Sequence, residues 1–129
     1  HTLSLMGFRE IRVFNRNYEK IKKIKNIIPH KLEELKYLPN VGNIIINTIP
    51  KRIVEELITD KTKKEIKKNN VYGFDLVYNF QTLFLNSFNR AQRIHGVEML
   101  AHQAAPCFYK WFGVFPNIEK DLIQKLKKI

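Results

Sequence analysis

Four polar side chains near the start of this 129-residue chain, Asn15, Arg16, Asn17 and Lys20, form a compact set suited to holding an anion. A guanidinium can bind two oxygens of one phosphate at once, a charge-assisted contact worth about 1.5 to 3 kcal/mol. Lys20, one helical turn further on, can add a second positive charge, and Asn17 can accept a hydrogen bond from a free N–H of that turn. A second candidate is Asn47, where Ile46-Asn47-Thr48-Ile49-Pro50 leaves an apolar run. A third lies in Gly96-Val97-Glu98-Met99-Leu100-Ala101-His102-Gln103-Ala104-Ala105. There Met99 and Gln103, four positions apart, share one face of a helix.

Each set has a plainer explanation. Arg16 can be an exposed strand-end residue and Lys20 part of a solvated face. Asn47 can be a turn former that satisfies local backbone groups. Met99 can be core, and Gln103 can hydrogen-bond a neighbouring helix. Leu100, Ala104, Phe108 and Trp111 make the adjoining apolar stripe and are expected in the core either way.

The elements that must carry these residues alternate between short β-branched runs and longer helical stretches, the pattern of parallel strands joined by crossover helices. Strands are expected at 10–14, 43–48, 71–77 and 93–95, with a weaker one at 26–29. Helices are expected at 18–26, 51–68 with a break near Asp60, 82–92, 97–112 and 118–128. Ile44-Ile45-Ile46 is apolar on both faces, as in a strand covered by helices on each side. Pro50 is a helix-start signal, and Pro106 should interrupt its helix and kink it just beyond Gln103. The fold class is α/β, a Rossmann-like parallel sheet with helices on both faces.

An apolar fraction of 44% is ordinary for one globular domain. No apolar run approaches the ~20 residues that span a bilayer, the start has no leader pattern, and the single Cys107 cannot form an internal disulfide. A cytoplasmic protein is expected. The net charge of +11 would attract polyanions. However, the lysines at 20–25, 61–68 and 120–128 interleave with apolar residues at helical spacing, as solvated helix faces do. The aromatic residues lie in apolar patterns rather than among the lysines as base-stacking platforms. A nucleic-acid-binding module is therefore the weaker alternative. His95 and His102 lack a supporting carboxylate pattern, and no metal site is assigned.

In a dinucleotide-binding fold, an Asp or Glu at the end of the second strand bonds the adenosine ribose hydroxyls. Here Asn15 and Arg16 stand in that place, where a carboxylate would repel a 2'-phosphate and a guanidinium would bind it. The residues select NADP over NAD.

The ordered set Asn15-Arg16-Asn17, Ile46 to Pro50, Asp75-Leu76-Val77-Tyr78, Thr82-Leu83-Phe84-Leu85 and Gly96 to Ala105 resembles the shikimate dehydrogenases over essentially the whole chain, aligned with the C-terminal half of the family. The last motif is specific by itself. The resemblance implies that Asn15, Arg16, Asn17 and Lys20 hold the 2'-phosphate end of NADP, that Asn47 and Ile49 lie along the cofactor, and that Val77, Gly96 and Met99 surround the nicotinamide. Tyr78 and Gln103 would touch the substrate. Departures fall at Asn17, Ile49, Phe80 and Leu83, where the family carries Thr, a hydroxyl residue and two prolines.

The implied reaction is NADPH-dependent reduction of 3-dehydroshikimate to shikimate, in aromatic amino acid biosynthesis. Its catalytic Lys and Asp belong to an N-terminal domain that nothing here resembles, so no catalytic residue is assigned. The glycine-rich phosphate loop and first strand of the cofactor domain are expected upstream of Thr2. The chain is read as a partial NADP-binding domain with C-terminal helices, inactive and poorly stable alone. Its expected partners are shikimate or 3-dehydroshikimate and the N-terminal half of the enzyme, with a homodimer left open and no nucleic acid or membrane. A quinate or shikimate-like dehydrogenase is the nearer alternative.

Overall fold

The structure is a computed structural model that describes residues 2–37, 42–49, 53–78 and 82–126. Pro50, Phe80, Lys127 and Lys128, which entered the sequence reading, lie outside the described residues.

A short helix α1 (Thr2–Leu5) precedes β1 (Arg12–Asn15), α2 (Tyr18–Ile21) and β2 (Ile28–Lys31). After a 3-10 segment at Leu32–Tyr37 come β3 (Ile44–Asn47), α3 (Ile53–Leu57), α4 (Asp60–Lys68) and β4 (Tyr72–Asp75). Two 3-10 turns, Phe84–Ser87 and Arg90–Gln92, lead into β5 (Arg93–His95), α5 (Gly96–Phe112) and α6 (Lys120–Leu126). Every strand pair is parallel, in two sheets ordered β1-β2 and β3-β4-β5. The α/β class and parallel pairing agree with expectation, and no ladder joins the two sheets among the described residues.

All carboxyl ends of a parallel set fall on one edge, where ligand crevices form. In register, Asn15 pairs with Lys31 on one sheet, and Asn47, Asp75 and His95 form a row across the other. The two sheets share one core. Leu35, Val54, Ile58, Ile66, Val71, Phe84, Leu85 and Phe88 are buried together, with Phe14 from β1 and Ile45 from β3 packed against them.

Helix α4 buries Thr62 and Ile66 and turns most of its lysines outward, as an amphipathic helix should. Thr59 caps it by accepting from the Thr62 N–H, which accounts for the break expected near Asp60.

Several expectations need correction. The helix expected at 18–26 stops after Ile21. Clustered lysines repel one another along the next turn, and Asn26 takes a left-handed conformation, φ 63°, that turns the chain into β2. The helix expected at 82–92 is two 3-10 turns joined by extended residues Phe88 and Asn89. Helix α5 is not interrupted at Pro106, whose ring occupies an exposed position. It ends at Gly113, φ 70°, whose N–H bonds the Tyr109 carbonyl. The stripe expected as core is exposed instead: Leu100, Ala104, Phe108 and Trp111 face outward, Trp111 at 77%. On α5 only Gly96, Val97 and Ala105 are buried among the described residues, so the apolar stripe is left largely uncovered. Ile44, Ile45 and Ile46 are half-buried rather than enclosed on both sides.

Gly73 in β4 is a tight contact. A Cβ there would lie 2.5 to 2.6 Å from three carbons of the Phe88 ring, which is fully buried and stacked at a tilt on Phe84 with centroids 5.0 Å apart. Gly73→Ala should destabilise the chain by about 1 to 3 kcal/mol through overpacking. A lowered urea midpoint with an unchanged denaturant slope is the expected result.

Candidate functional site

The first candidate cluster forms where β1 ends. Asn15 Oδ1 accepts the Asn17 N–H at 2.8 Å, and Asn17 Oδ1 accepts the Lys20 N–H at 3.0 Å. The second bond is the helix cap expected of Asn17. Both amide oxygens are therefore spent inward on the turn, and Arg16 projects between them, exposed. Among the described residues it has no ion-pair partner.

Asn15, Arg16, Asn17, Tyr18, Glu19 and Lys31 line an open cleft of about 620 Å³. Glu19 would oppose an anion, but it is paired with Lys22, and their hydrogen bond raises the Lys22 pKa. Two cations outside any described ion pair, Arg16 and Lys31, dominate what remains; Lys31 also lies near Glu34, whose pKa is lowered chiefly by its hydrogen bond to His30 and in part by the Lys31 charge. Lys20 is exposed on α2 outside this lining. With only four residues, α2 adds little of the helix-end field expected of it.

Lys31 was not singled out from sequence. Its signal is register: it ends β2 opposite Asn15. The strand expected at 26–29 ended two residues short of it. Pro29 is tolerated since β2 pairs on one side only among the described residues.

The second cluster caps β3, β4 and β5. Asn47, 4% exposed, accepts the Ile49 N–H at 3.0 Å and donates to the Ile49 carbonyl at 3.2 Å and to Asp75 Oδ1 at 3.1 Å. The turn-forming role weighed for Asn47 is thus realised. Asp75, 2% exposed, also accepts the Val77 N–H at 3.1 Å on Oδ1 and the Thr82 hydroxyl on Oδ2. Asp75 and Thr82 were quoted only as parts of motifs, since nothing in sequence shows a loop returning its hydroxyl to a strand end.

Gly96 is buried at the start of α5, and a Cβ there would meet the Asp75 and Leu76 carbonyl oxygens at 2.7 and 2.6 Å. The missing side chain lets α5 begin directly against the end of β4. Met99, one turn on, is half-buried, Val77 is half-buried, and Tyr78 and Gln103 are exposed. The candidate residues therefore form two groups, one on each sheet. Asn15, Arg16 and Asn17 meet at β1, while Asn47, Ile49, Val77 and Gly96 gather around Asp75. Among the described residues no group of three or more His, Cys, Asp or Glu side chains could hold a metal ion.

No protein-family model matches the chain. Shikimate dehydrogenase (NADP(+)) of Methanococcus maripaludis is 33% identical over 135 residues, covering 90% of this chain and 47% of that protein. The enzyme of the same name from Methanocaldococcus jannaschii is 32% identical, covering 92% and 48%. That from Brucella abortus is 26% identical, covering 95% and 46%. Among solved structures, quinate dehydrogenase from Corynebacterium glutamicum in complex with NAD superposes with a TM-score of 0.68 at 16% identity, over 98% of this chain and 47% of that one. The chain spans about half the length of the curated relatives it matches. By sequence along nine-tenths of its length, and on a Rossmann-type dehydrogenase fold, this chain is similar to about half of a shikimate dehydrogenase.

Proposed function

We propose that the chain is the cofactor-binding half of an NADP-dependent shikimate dehydrogenase that reduces 3-dehydroshikimate to shikimate. The cleft at the carboxyl ends of β1 and β2 carries this reading, because Arg16 and Lys31 stand in it and neither is held in an ion pair among the described residues. Arg16 binds two oxygens of the ribose 2'-phosphate, and Lys31 and Lys20 add charge around it. Asn15 and Asn17 hold the turn that presents the guanidinium. Asn47 sets the Ile49 backbone along the cofactor, and Val77, Gly96 and Met99 surround the nicotinamide. Tyr78 and Gln103 meet the substrate. When bound, NADPH supplies the hydride. The proton donor belongs to the second half of the enzyme.

Two features support a second half. The exposed aromatic run on α5 and beyond, Phe108, Tyr109, Trp111, Phe112 and Phe115, is too apolar and too continuous for a solvated helix face. β1 and β3 are each edge strands among the described residues, and their outer edges carry backbone groups suited to another strand. In this reading the protein works in the cytoplasm.

Arg16→Asp, made in the complete enzyme, should cost NADP about 1.5 to 3 kcal/mol of binding, with a much smaller loss for NAD. Calorimetric titration with each dinucleotide checks this, and equal losses would contradict the phosphate role. Assays with shikimate and with quinate separate the two substrate readings.

This chain expressed alone should show no turnover of shikimate with NADP. Co-expression with the upstream half should restore it. Turnover by the isolated chain at the rate of the complete enzyme would refute the division of labour.

A further inference from the structure

Asp75 is the only charged side chain buried among the described residues, and no described cation pairs with it. A carboxylate placed there for stability alone would be a poor choice, since removing it from water is costly and an apolar side chain would avoid that cost. Its three donors come from three different segments. Asn47 ends β3, the Val77 N–H follows β4, and the Thr82 hydroxyl lies seven residues along at the start of the next segment.

We propose that Asp75 is a positioning residue for the reaction. One carboxylate oxygen holds Asn47 and Val77 together, and the other hooks Thr82, so the residues on both sides of Tyr78, Val77 and Thr82, are tied to the strand end. The same carboxylate thereby ties the Asn47–Ile49 turn to the Val77–Tyr78 segment. A substrate-facing loop and a cofactor-facing turn are fixed relative to each other by one side chain that touches neither ligand. This rests on the dehydrogenase reading, which gives the loop something to position.

The test uses the complete enzyme with Thr82→Val, which removes the hydroxyl and keeps the shape, and Thr82→Ser, which restores it. In Thr82→Val the backbone amides of the segment holding Val77 and Tyr78 should exchange hydrogen about tenfold faster, the factor expected for losing one such bond. Its kcat should fall by up to about 100-fold, as a small misplacement of a reacting group can cost, while KM for NADP, set at the Arg16 end, stays unchanged. Thr82→Ser should recover both exchange and kcat.

Should Thr82→Val fail to fold, Thr82→Ala serves instead: it removes the same hydroxyl from Asp75 Oδ2 and should likewise speed exchange and lower kcat, whereas wild-type exchange and kcat in it would overturn the proposal. Wild-type exchange and kcat in Thr82→Val would overturn the proposal. So would equal losses of kcat in Thr82→Val and Thr82→Ser that track their melting temperatures. If the wild-type enzyme turns over no shikimate, the dehydrogenase reading falls, and the exchange comparison then decides the hook by itself.

Discussion

A carboxylate held away from water at the end of β4, satisfied by three neutral donors, organises the edge of the sheet on which the chemistry depends. Parallel pairing brings the ends of β3, β4 and β5 into one row, Asn47, Asp75 and His95. Each strand there breaks from the ladder, and the departing backbone needs new partners. Side chains supply them: Asn47 mimics a turn for Ile49, and Asp75 takes the Val77 N–H. The Leu76 N–H still reaches the Asn47 carbonyl, at 2.9 Å, so the ladder runs one step beyond the regular strand. Gly96 then lets α5 start within contact of the Asp75 and Leu76 carbonyls. With any larger residue at Gly96 the helix would have to back away from the crevice.

The cleft at Arg16 is built differently. A turn with two asparagines on either side of an arginine could have aimed three polar groups outward. Instead the asparagine oxygens are consumed by the Asn17 and Lys20 N–H groups, which fixes the backbone and leaves the guanidinium as the outward group. Of 23 basic residues, most described lysines sit on solvated faces where water and salt screen them. Arg16 and Lys31 differ because a strand end and an aligned neighbour hold them beside one cavity. Placement, more than net charge, sets these two cations apart from the rest of the basic surface.

Much of this was legible from sequence, for physical reasons that also mark where legibility stops. Strand periodicity and the β-branched runs placed all five strands within a few residues, and β5 at its observed limits. The Asn17 cap could be read because it depends only on residues three apart. By contrast, Phe84, Leu85 and Phe88 have the spacing of a buried helical face, yet they form a tight turn followed by extended backbone. Ser87 and Phe88 are buried there against β4 and α4 rather than along a helix. Lys31 escaped notice, and Asp75 and Thr82 were noted without their roles, because those roles arise from strand register and from a contact seven residues apart, which no local window contains. The α5 stripe was apolar as read, but its expected burial required a covering surface that the chain's own described elements do not provide.

The two candidate clusters lie on different sheets, so a dinucleotide reaching both depends on what fixes the sheets to each other. Among the described residues that link is the shared core, where Phe14 of β1 and Ile45 of β3 pack against the same buried group. No ladder joins β1 to β3. Apolar packing without hydrogen-bond register constrains separation less tightly than a strand paired on both edges would, because dispersion contacts are individually weak and nondirectional. A strand inserted between them would set the distance between the Arg16 end and the Asp75 end in steps of one strand spacing, about 4.8 Å per pairing. The proposed phosphate grip at Arg16 and the proposed reactive end near Val77 and Gly96 would then be held at a fixed span. This makes the proposed second half more than a source of a proton donor: it would convert two locally well-built clusters into one site.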